Sequence, residues 1–363
     1  MFAMIETEEI ERILKKYKRP KIATCCSHSS LQIFHGARLE GFETLGIVTD
    51  KNVKFYGSFP NASPDKLMKV HWFSDIVEKA EELVKNEVIL VPHGSFVEYL
   101  GKALDDLPVP VFGNRRCLLW ERERDRMFEW MKRAGFDTPK VKRRESIDGP
   151  CMVKFPGARG GRGYLIVRDK EEFDRKTQNA IKKGFITEED VKNCMIQEFL
   201  IGVRFYPHYF YTPLQKQNYS TKKGSLELMS MDRRIESDVD EIYRAMGIGV
   251  VEDPAYVVAG NEPLVMRESL LPKVMEMGVG AVEAAEELFG GIPGPFCIET
   301  ICDRDLKFRV FEISARIVAG TNLYPNGSQY SAFMFNEEMS TGRRIAREIK
   351  LAAKAKRLAD VVY

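Results

Sequence analysis

The sequence predicts an α/β protein that opens with a mostly parallel, open-sheet domain and continues into strand-rich segments. Three observations carry this reading. Short apolar runs alternate with amphipathic helical stretches up to about residue 115, the pattern of a parallel sheet with helical crossovers. A helix over 116–134 then bridges onward, stopped by Gly135 and Pro139, because glycine ends a helix readily and proline does not continue one. Beyond it, two strands flank a glycine-rich turn, and from 204 to 330 strands dominate, interrupted by one helix at 271–289.

The elements follow in order. The first 20 residues read as a helix, with Ile5, Ile10, Ile13 and Leu14 set among charges. Lys21-Ile22-Ala23-Thr24-Cys25-Cys26 is a short buried strand, and 29–41 is helical with Leu31, Phe34 and Ala37 on one face. Strands are expected at 43–49 and 69–73. An amphipathic helix is expected over 75–85, where Ile76, Val77, Ala80, Leu83 and Val84 keep helical spacing. The runs 87–92 and 109–112 are apolar strands. Further on, 151–155, 164–168 and 194–201 read as strands and 170–184 as a charged helix. The polar stretch 214–225 reads as an exposed hairpin loop, and a basic helix over 342–357 closes the chain.

Composition narrows the class. Over 363 residues, 55 Lys and Arg oppose 53 Asp and Glu, which argues against a dedicated nucleic-acid binder. With 44% hydrophobic and 30% charged residues the chain is globular rather than disordered. No apolar stretch approaches membrane-spanning length and the start lacks a signal-peptide pattern, so a cytoplasmic protein is expected. The seven cysteines are scattered without a CxxC pair, which argues against a zinc ribbon and a disulfide scaffold.

The sharpest local signal is Met152-Val153-Lys154-Phe155-Pro156-Gly157-Ala158-Arg159-Gly160-Gly161-Arg162-Gly163-Tyr164. A lysine ends a strand, and a loop with Gly157, Gly160, Gly161 and Gly163 follows. Glycines let backbone N–H groups approach phosphate oxygens, while Lys and Arg balance the charge. It is neither a Walker A loop nor a dinucleotide fingerprint, and a basic exposed hairpin is the bland alternative. Glu299 and Glu312 each sit in an apolar strand, 295–300 and 308–314. An unpaired carboxylate there is costly, but a pair holds Mg²⁺ between nucleotide phosphates; the alternative is a salt bridge to Arg309 or Arg316. The strand segment around Gln197-Glu198 offers backbone groups to an adenine edge. Ser27-His28-Ser29-Ser30 and His93-Gly94-Ser95 end two strands of the first domain, where open α/β sheets bind ligands, and suggest a phosphorylated small molecule. His35, His71 and His208 are taken as structural. Arg343, Arg344, Arg347, Lys350 and Lys354 are taken as a solvated helix face, with a subunit contact as the second reading.

In sequence these pieces resemble an ATP-grasp ligase. The blocks Ser27-His28-Ser29-Ser30, His93-Gly94-Ser95-Phe96, Phe112-Gly113-Asn114-Arg115-Arg116, Arg267-Glu268-Ser269-Leu270-Leu271 and Gly294-Pro295-Phe296-Cys297 further resemble the archaeal formate-dependent 5-formaminoimidazole-4-carboxamide ribonucleotide (FAICAR) synthetase family. The resemblance implies a pre-ATP-grasp domain over 1–118, a linking helix and small subdomain over 119–203, and a C-terminal ATP-grasp subdomain over 204–363. It implies formylation of AICAR by formate with ATP and Mg²⁺ (or Mn²⁺), in a homo-oligomer that binds neither nucleic acid nor membrane. His28, Ser95 and Asn261 then resemble AICAR contacts. Lys154, the 157–163 loop, Glu198 and Glu236 resemble ATP contacts, and Glu299 and Glu312 the metal ligands. Lys154, Arg267 and Arg316 are the candidates for catalytic work, the two arginines as partners for formate. The chain departs from the general pattern at Ser314, where such ligases carry Asn, and over 238–247. A ligase of another acid or amine, and a non-catalytic nucleotide binder, are the alternative readings.

Overall fold

The computed structural model describes residues 4–156, 164–217, 219–236, 238–249 and 257–363. Its first sheet is parallel, with β1 (Lys21–Cys25), β2 (Thr44–Thr49), β3 (Lys66–Val70) and β4 (Val88–Leu90) in the order β3-β2-β1-β4. Residues 22–25 and 88–90 are all buried because helices cover both faces of the central strands, which is why these strands read as unbroken apolar runs. Val111 bridges Leu90 in parallel and extends the sheet.

Three expected elements shift. The strand expected at 69–73 lies at Lys66–Val70, because the backbone N–H groups of His71 and Trp72 turn to the Asp75 carboxylate at 3.0 and 2.8 Å instead of the ladder. The same cap breaks the helix expected over 75–85 into a 3₁₀ turn (Phe73–Val77) and a helix (Ala80–Lys85). The linking helix is likewise two helices, Arg115–Arg122 and Arg124–Arg133, separated by Glu123 in extended backbone. Sequence periodicity alone does not register such single-residue breaks.

The small subdomain is an antiparallel sheet of β5 (Val141–Lys142), β6 (Cys151–Lys154), β7 (Tyr164–Val167) and β8 (Met195–Glu198), ordered β5-β8-β6-β7. The helix Lys170–Lys182 backs it, capped by Asp169, which accepts the Glu172 N–H at 2.7 Å. Val153, Phe155, Val167, Phe173 and Ile196 form its separate core. The third sheet contains β9 (Val203–Thr212), β10 (Tyr219–Ser220), β11 (Ser225–Glu236), β12 (Val258–Pro263), β13 (Gly294–Cys302) and β14 (Phe308–Ser314). Its order is β10-β11-β9-β13-β14, with β12 on β11. Two further corrections fall here. The stretch 214–225 carries β10, paired with β11, and the region expected to hold one helix also holds Val239–Met246.

One continuous core joins the first domain, the linking helices and the third sheet, through residues such as Leu90, Phe96, Trp130, Ala281, Phe296 and Ile298. The Trp130 indole donates to the Ala281 carbonyl at 2.9 Å within it. The C-terminal helix Thr341–Lys354 adds a second joint. It crosses the helix Ser30–Leu39 so closely that a Cβ at Gly36 would lie 2.1 Å from the Arg343 nitrogen. Glu40 there accepts from Arg343 (2.8 Å), Arg347 (2.9 Å) and Lys350 (3.4 Å). Arg344, buried, spans Glu227 (2.8 Å) and Glu348 (2.7 Å). The basic run is therefore only in part a solvated face: Lys354 is exposed, but Arg343, Arg347 and Lys350 tie the last helix to Glu40 of the first domain, and Arg344 ties it to β11. The sequence pattern shows the charges but not Glu40 and Glu227, which meet them from more than a hundred residues away.

Candidate active site

β13 and β14 pair antiparallel with Glu299 directly opposite Glu312, so the two carboxylates share one face of the sheet. A β-bulge follows at once, since Thr300 pairs with Val310 and skips Phe311; bulges of this kind re-aim side chains beside functional sites. Glu299 is fully buried. Its Oε1 accepts from Arg234 and, at 3.4 Å, from the Ser314 hydroxyl. Its Oε2 has no hydrogen-bond partner among the described residues. Burial raises the Glu299 pKa against the pull of Arg234, and Glu312 raises it further. A buried, unpartnered carboxylate oxygen beside a second carboxylate is a poor structural arrangement and a good cation seat. The expected alternative, a pair with Arg309 or Arg316, is not what forms: Arg309 turns to Asp137 (2.8 Å) and Glu198 (3.1 Å), and Arg316 to Glu121 (2.8 Å).

Among the described residues no cluster of three or more His, Cys, Asp and Glu groups forms a metal cage. Two carboxylates with the remaining positions left to phosphate oxygens and water suit Mg²⁺, which keeps several waters and takes few protein ligands. Glu299 and Glu312 thus fit a magnesium ion.

Lys154 ends β6 and is buried. Its Nζ lies 5.3 Å from the Phe311 ring centroid and 5.9 Å from that of Tyr164, and among the described residues no carboxylate pairs with it within salt-bridge distance. Burial lowers its pKa, while Glu312 and Glu299 support the charge. An ammonium held by aromatic faces near two carboxylates is placed for an anion that also binds the cation. Gly157, Gly160, Gly161 and Gly163, expected to cradle phosphates, lie outside the described residues.

The first-domain residues gather at the ends of β1 and β4. The His28 and His93 rings stack at 5.3 Å with planes 4° apart. His93 hydrogen-bonds through Nε2 to the Cys25 carbonyl at 2.9 Å, and its Nδ1 accepts the Phe96 N–H at 3.3 Å, so Nε2 carries the proton. His28 has φ 49°, a left-handed residue at the mouth of β1, and its Nδ1 meets the Ser29 hydroxyl at 2.7 Å. His28 remains partly open to solvent, and crowding of its ring, then the neighbouring His93, Arg316 and Arg234, lower its pKa and favour the neutral imidazole. Ser27 donates to Ser95 at 3.1 Å between the same two strand ends. At Gly94 a Cβ would lie 2.9 Å from His28 Nε2 and 3.3 Å from the Arg316 guanidinium, so the absence of a side chain there lets His28 and Arg316 converge. The backbone bridge His93–Ile317 holds the end of β4 against the segment after β14. The Arg316 Nε is buried without a hydrogen-bond partner, a donor available to an anion.

Sequence reasoning missed two residues of this centre. Arg234, on β11, holds Glu299 and lies 4.9 Å from the Tyr206 ring centroid; the Arg233-Arg234 pair was visible, but not which member faces inward. Glu121, on a linking helix, accepts from Arg316 and from the Ala315 N–H at 2.8 Å, and burial raises its pKa. Nothing in a charged helix distinguishes it beforehand. The remaining candidates are spread around this core. Asn261 pairs in register with Arg234. Glu198 ends β8, accepting from Arg309 and from the Lys140 N–H at 3.0 Å. Glu236 pairs with Arg204. Arg267 is exposed at the start of the turn Glu268–Leu270, and no described contact ties it to the carboxylate pair.

A parallel-sheet domain, a small lysine-bearing antiparallel subdomain and a larger sheet with two facing glutamates define an ATP-grasp ligase. Solved structures share the architecture: an N5-carboxyaminoimidazole ribonucleotide synthetase in its ADP complex aligns with TM-score 0.61 and 11% identity, over 96% of this chain and 78% of that one. An IMP biosynthesis protein PurP from Thermococcus kodakaraensis aligns with TM-score 0.72 and 31% identity, over 94% of this chain and all of that one. Two family models match, a "Domain of unknown function (DUF1297)" over 172–363 and a "Protein of unknown function (DUF1246)" over 22–142. The 5-formaminoimidazole-4-carboxamide-1-(beta)-D-ribofuranosyl 5'-monophosphate synthetase of Methanococcoides burtonii is 49% identical over 98% of this chain and 99% of that protein. That of Archaeoglobus fulgidus is 44% identical with the same coverage. The chain belongs to the FAICAR synthetase family.

Proposed function

We propose that this protein is an ATP- and formate-dependent carbon–nitrogen ligase that formylates the 5-amino group of AICAR, yielding FAICAR, ADP and phosphate in IMP biosynthesis. The observation that carries the reading is Glu299 facing Glu312 across one strand pair, with an unpartnered buried oxygen, in a chain so similar to named FAICAR synthetases along its length. Magnesium, or manganese in its place, bound by these glutamates would neutralise phosphate charge.

In this reading Lys154 and the 157–163 segment hold the ATP phosphates, with Glu198 and Glu236 on the nucleotide side. Arg316, fixed by Glu121, orients formate. A formate oxygen attacks the γ-phosphorus and ADP leaves, giving formyl phosphate. The AICAR amine, held near His28, Ser95 and Asn261, then attacks the formyl carbon; phosphate leaves and the amine gives up a proton. Neutral His28 contacts the substrate without adding charge. Formyl phosphate survives only where water is excluded, and buried His93 together with the buried Nε edge of Arg316 offers part of such a wall. Arg267, although exposed, keeps a place as a second anion partner. The reading extends to a cytoplasmic homo-oligomer that binds neither nucleic acid nor membrane, following the family resemblance; no helix among the described residues is long and apolar enough to cross a membrane.

The direct test is incubation with ATP, Mg²⁺, formate and AICAR, with ADP and FAICAR measured. Formate- and AICAR-dependent release of both is expected. ADP release that follows a different acid or amine would replace the substrates, and AICAR binding without turnover would remove the ligase reading.

A further inference from the structure

Asp232 and His208, buried on neighbouring strands, touch none of the groups assigned to the reaction above except one. His208 Nε2 bonds to Asp232 Oδ1 at 2.8 Å, its Nδ1 to the Ser230 hydroxyl at 2.7 Å, and Asp232 Oδ2 accepts from the Asn261 amide at 2.6 Å. All three members on β9 and β11 are buried, while Asn261 is half-buried at their outer end. A carboxylate oxygen only accepts. The Asn261 NH₂ is therefore turned inward, and its Oδ1 is the acceptor left for whatever lies beside it. The backbone of Gly320 packs on Asp232: a Cβ there would lie 2.3–2.4 Å from the carboxylate. The same turn, Ala319–Leu323, carries Asn322, which donates to the His28 carbonyl at 3.0 Å, and Thr321 and Asn322, which accept from Gln32 at 2.5 and 2.8 Å. The turn that bonds to Gln32 and the His28 carbonyl thus also packs on Asp232, whose outer oxygen holds Asn261.

We infer that Asp232, held by His208, is a positioning residue: it fixes the Asn261 amide so that a carbonyl oxygen, rather than the NH₂ group, is offered to an N–H of the substrate base. The inference rests on the reading of Asn261 as an AICAR contact. An amine and a carboxamide are both N–H donors, so an acceptor of set orientation selects for them, and a wrongly turned amide leaves donor facing donor.

The test is a double-mutant cycle read in kinetics. Asp232→Asn lets the 261 amide turn over and is expected to raise the AICAR KM by roughly tenfold while the ATP KM stays within about twofold. In an Asn261→Ala background the same substitution is expected to add nothing. Gly320→Ala, which displaces the carboxylate without changing its chemistry, is expected to reproduce the AICAR effect, and it serves if Asp232→Asn does not fold. Equal rises in both KM values, or additive effects in the Asn261→Ala background, would overturn the positioning role. A wild type whose ADP release ignores AICAR would instead overturn the substrate reading, and this role with it.

Discussion

The lysine of the site and its carboxylate pair sit in regions of different construction. Glu299, Glu312, Arg316 and His28 stand on a body in which the first domain, the linking helices and the third sheet share one core, locked again by the Glu40 and Arg344 ion clusters. Lys154 stands on a subdomain with a core of its own. Its described ties to the body include Arg124 to the Phe155 carbonyl at 2.6 Å, Arg309 to Glu198 and Asp137, the Val310 N–H to the Asp137 carbonyl at 2.8 Å, and Lys154 over the Phe311 ring. In the proposed reading the substrate and metal groups stand on the shared core, whereas Lys154, proposed to hold phosphate, stands on a unit with its own core. Ligand-closing elements are drawn from regions with little shared core.

The sharpest separation is chemical. Glu312→Gln removes a charge from the proposed cation seat on the body while leaving the His28 and Asn261 side chains in place. Turnover is expected to fall by roughly a thousandfold or more, with AICAR affinity by calorimetry unchanged. Joint loss of both would mean that the carboxylates and the substrate groups do not act separately.

Packing gives the next largest contrast. Trp130 is fully buried in the shared core, and Trp130→Ala is expected to cost about 3–5 kcal/mol, lowering the main thermal transition. Val153 is fully buried in the small core. Val153→Ala is expected to cost about 1–2 kcal/mol and to speed hydrogen exchange in β6, β7 and β8 while leaving β1 and β13 protected. Exchange rising equally in β1 and β13 would show that the two cores unfold as one.

How much of this was legible in the sequence follows the range of the interactions. The buried strand at 22–25 and the helix at 271–289 announce themselves locally, through apolar runs and periodicity. Lys154, Glu299 and Glu312 stand out because a charge at a strand position demands an explanation. Arg234, Glu121 and Asp232 do not stand out, since each gains its meaning from a partner on another element: Glu299 is 65 positions from Arg234, and Ala315 is 194 from Glu121. The basic helix misled for the same reason. Its arginines look solvated until Glu40, 303 positions away, is brought against Arg343. Helix breaks at Glu123 and after Val77 depend on single backbone torsions and caps, which periodicity averages away.

Acid titration sharpens the comparison with the smallest perturbation. Burial pushes Glu40 upward, but hydrogen bonds from Arg347 and Arg343 outweigh it and hold the carboxyl at about 2, below its ordinary 4.5. In the small subdomain, burial likewise opposes and Arg168 prevails, holding Glu172 at about 2. A carboxyl depressed in the folded state stabilises it fully above the ordinary value, and that contribution is lost as pH falls from about 4.5 toward about 2. The two glutamates report on different regions. Glu40 joins the first domain to the last helix, whereas among the described residues Glu172 bonds within its own subdomain, to the Arg168 N–H at 2.9 Å and side chain at 3.0 Å and to Lys176 at 3.2 Å. Glu40→Gln is therefore expected to flatten the acid side of the main thermal transition between pH 4.5 and 2.5. Glu172→Gln should leave that slope intact and flatten only the pH dependence of exchange in β6 to β8. A change in the main transition from Glu172→Gln would show that the small subdomain is coupled to the body more tightly than its separate core implies.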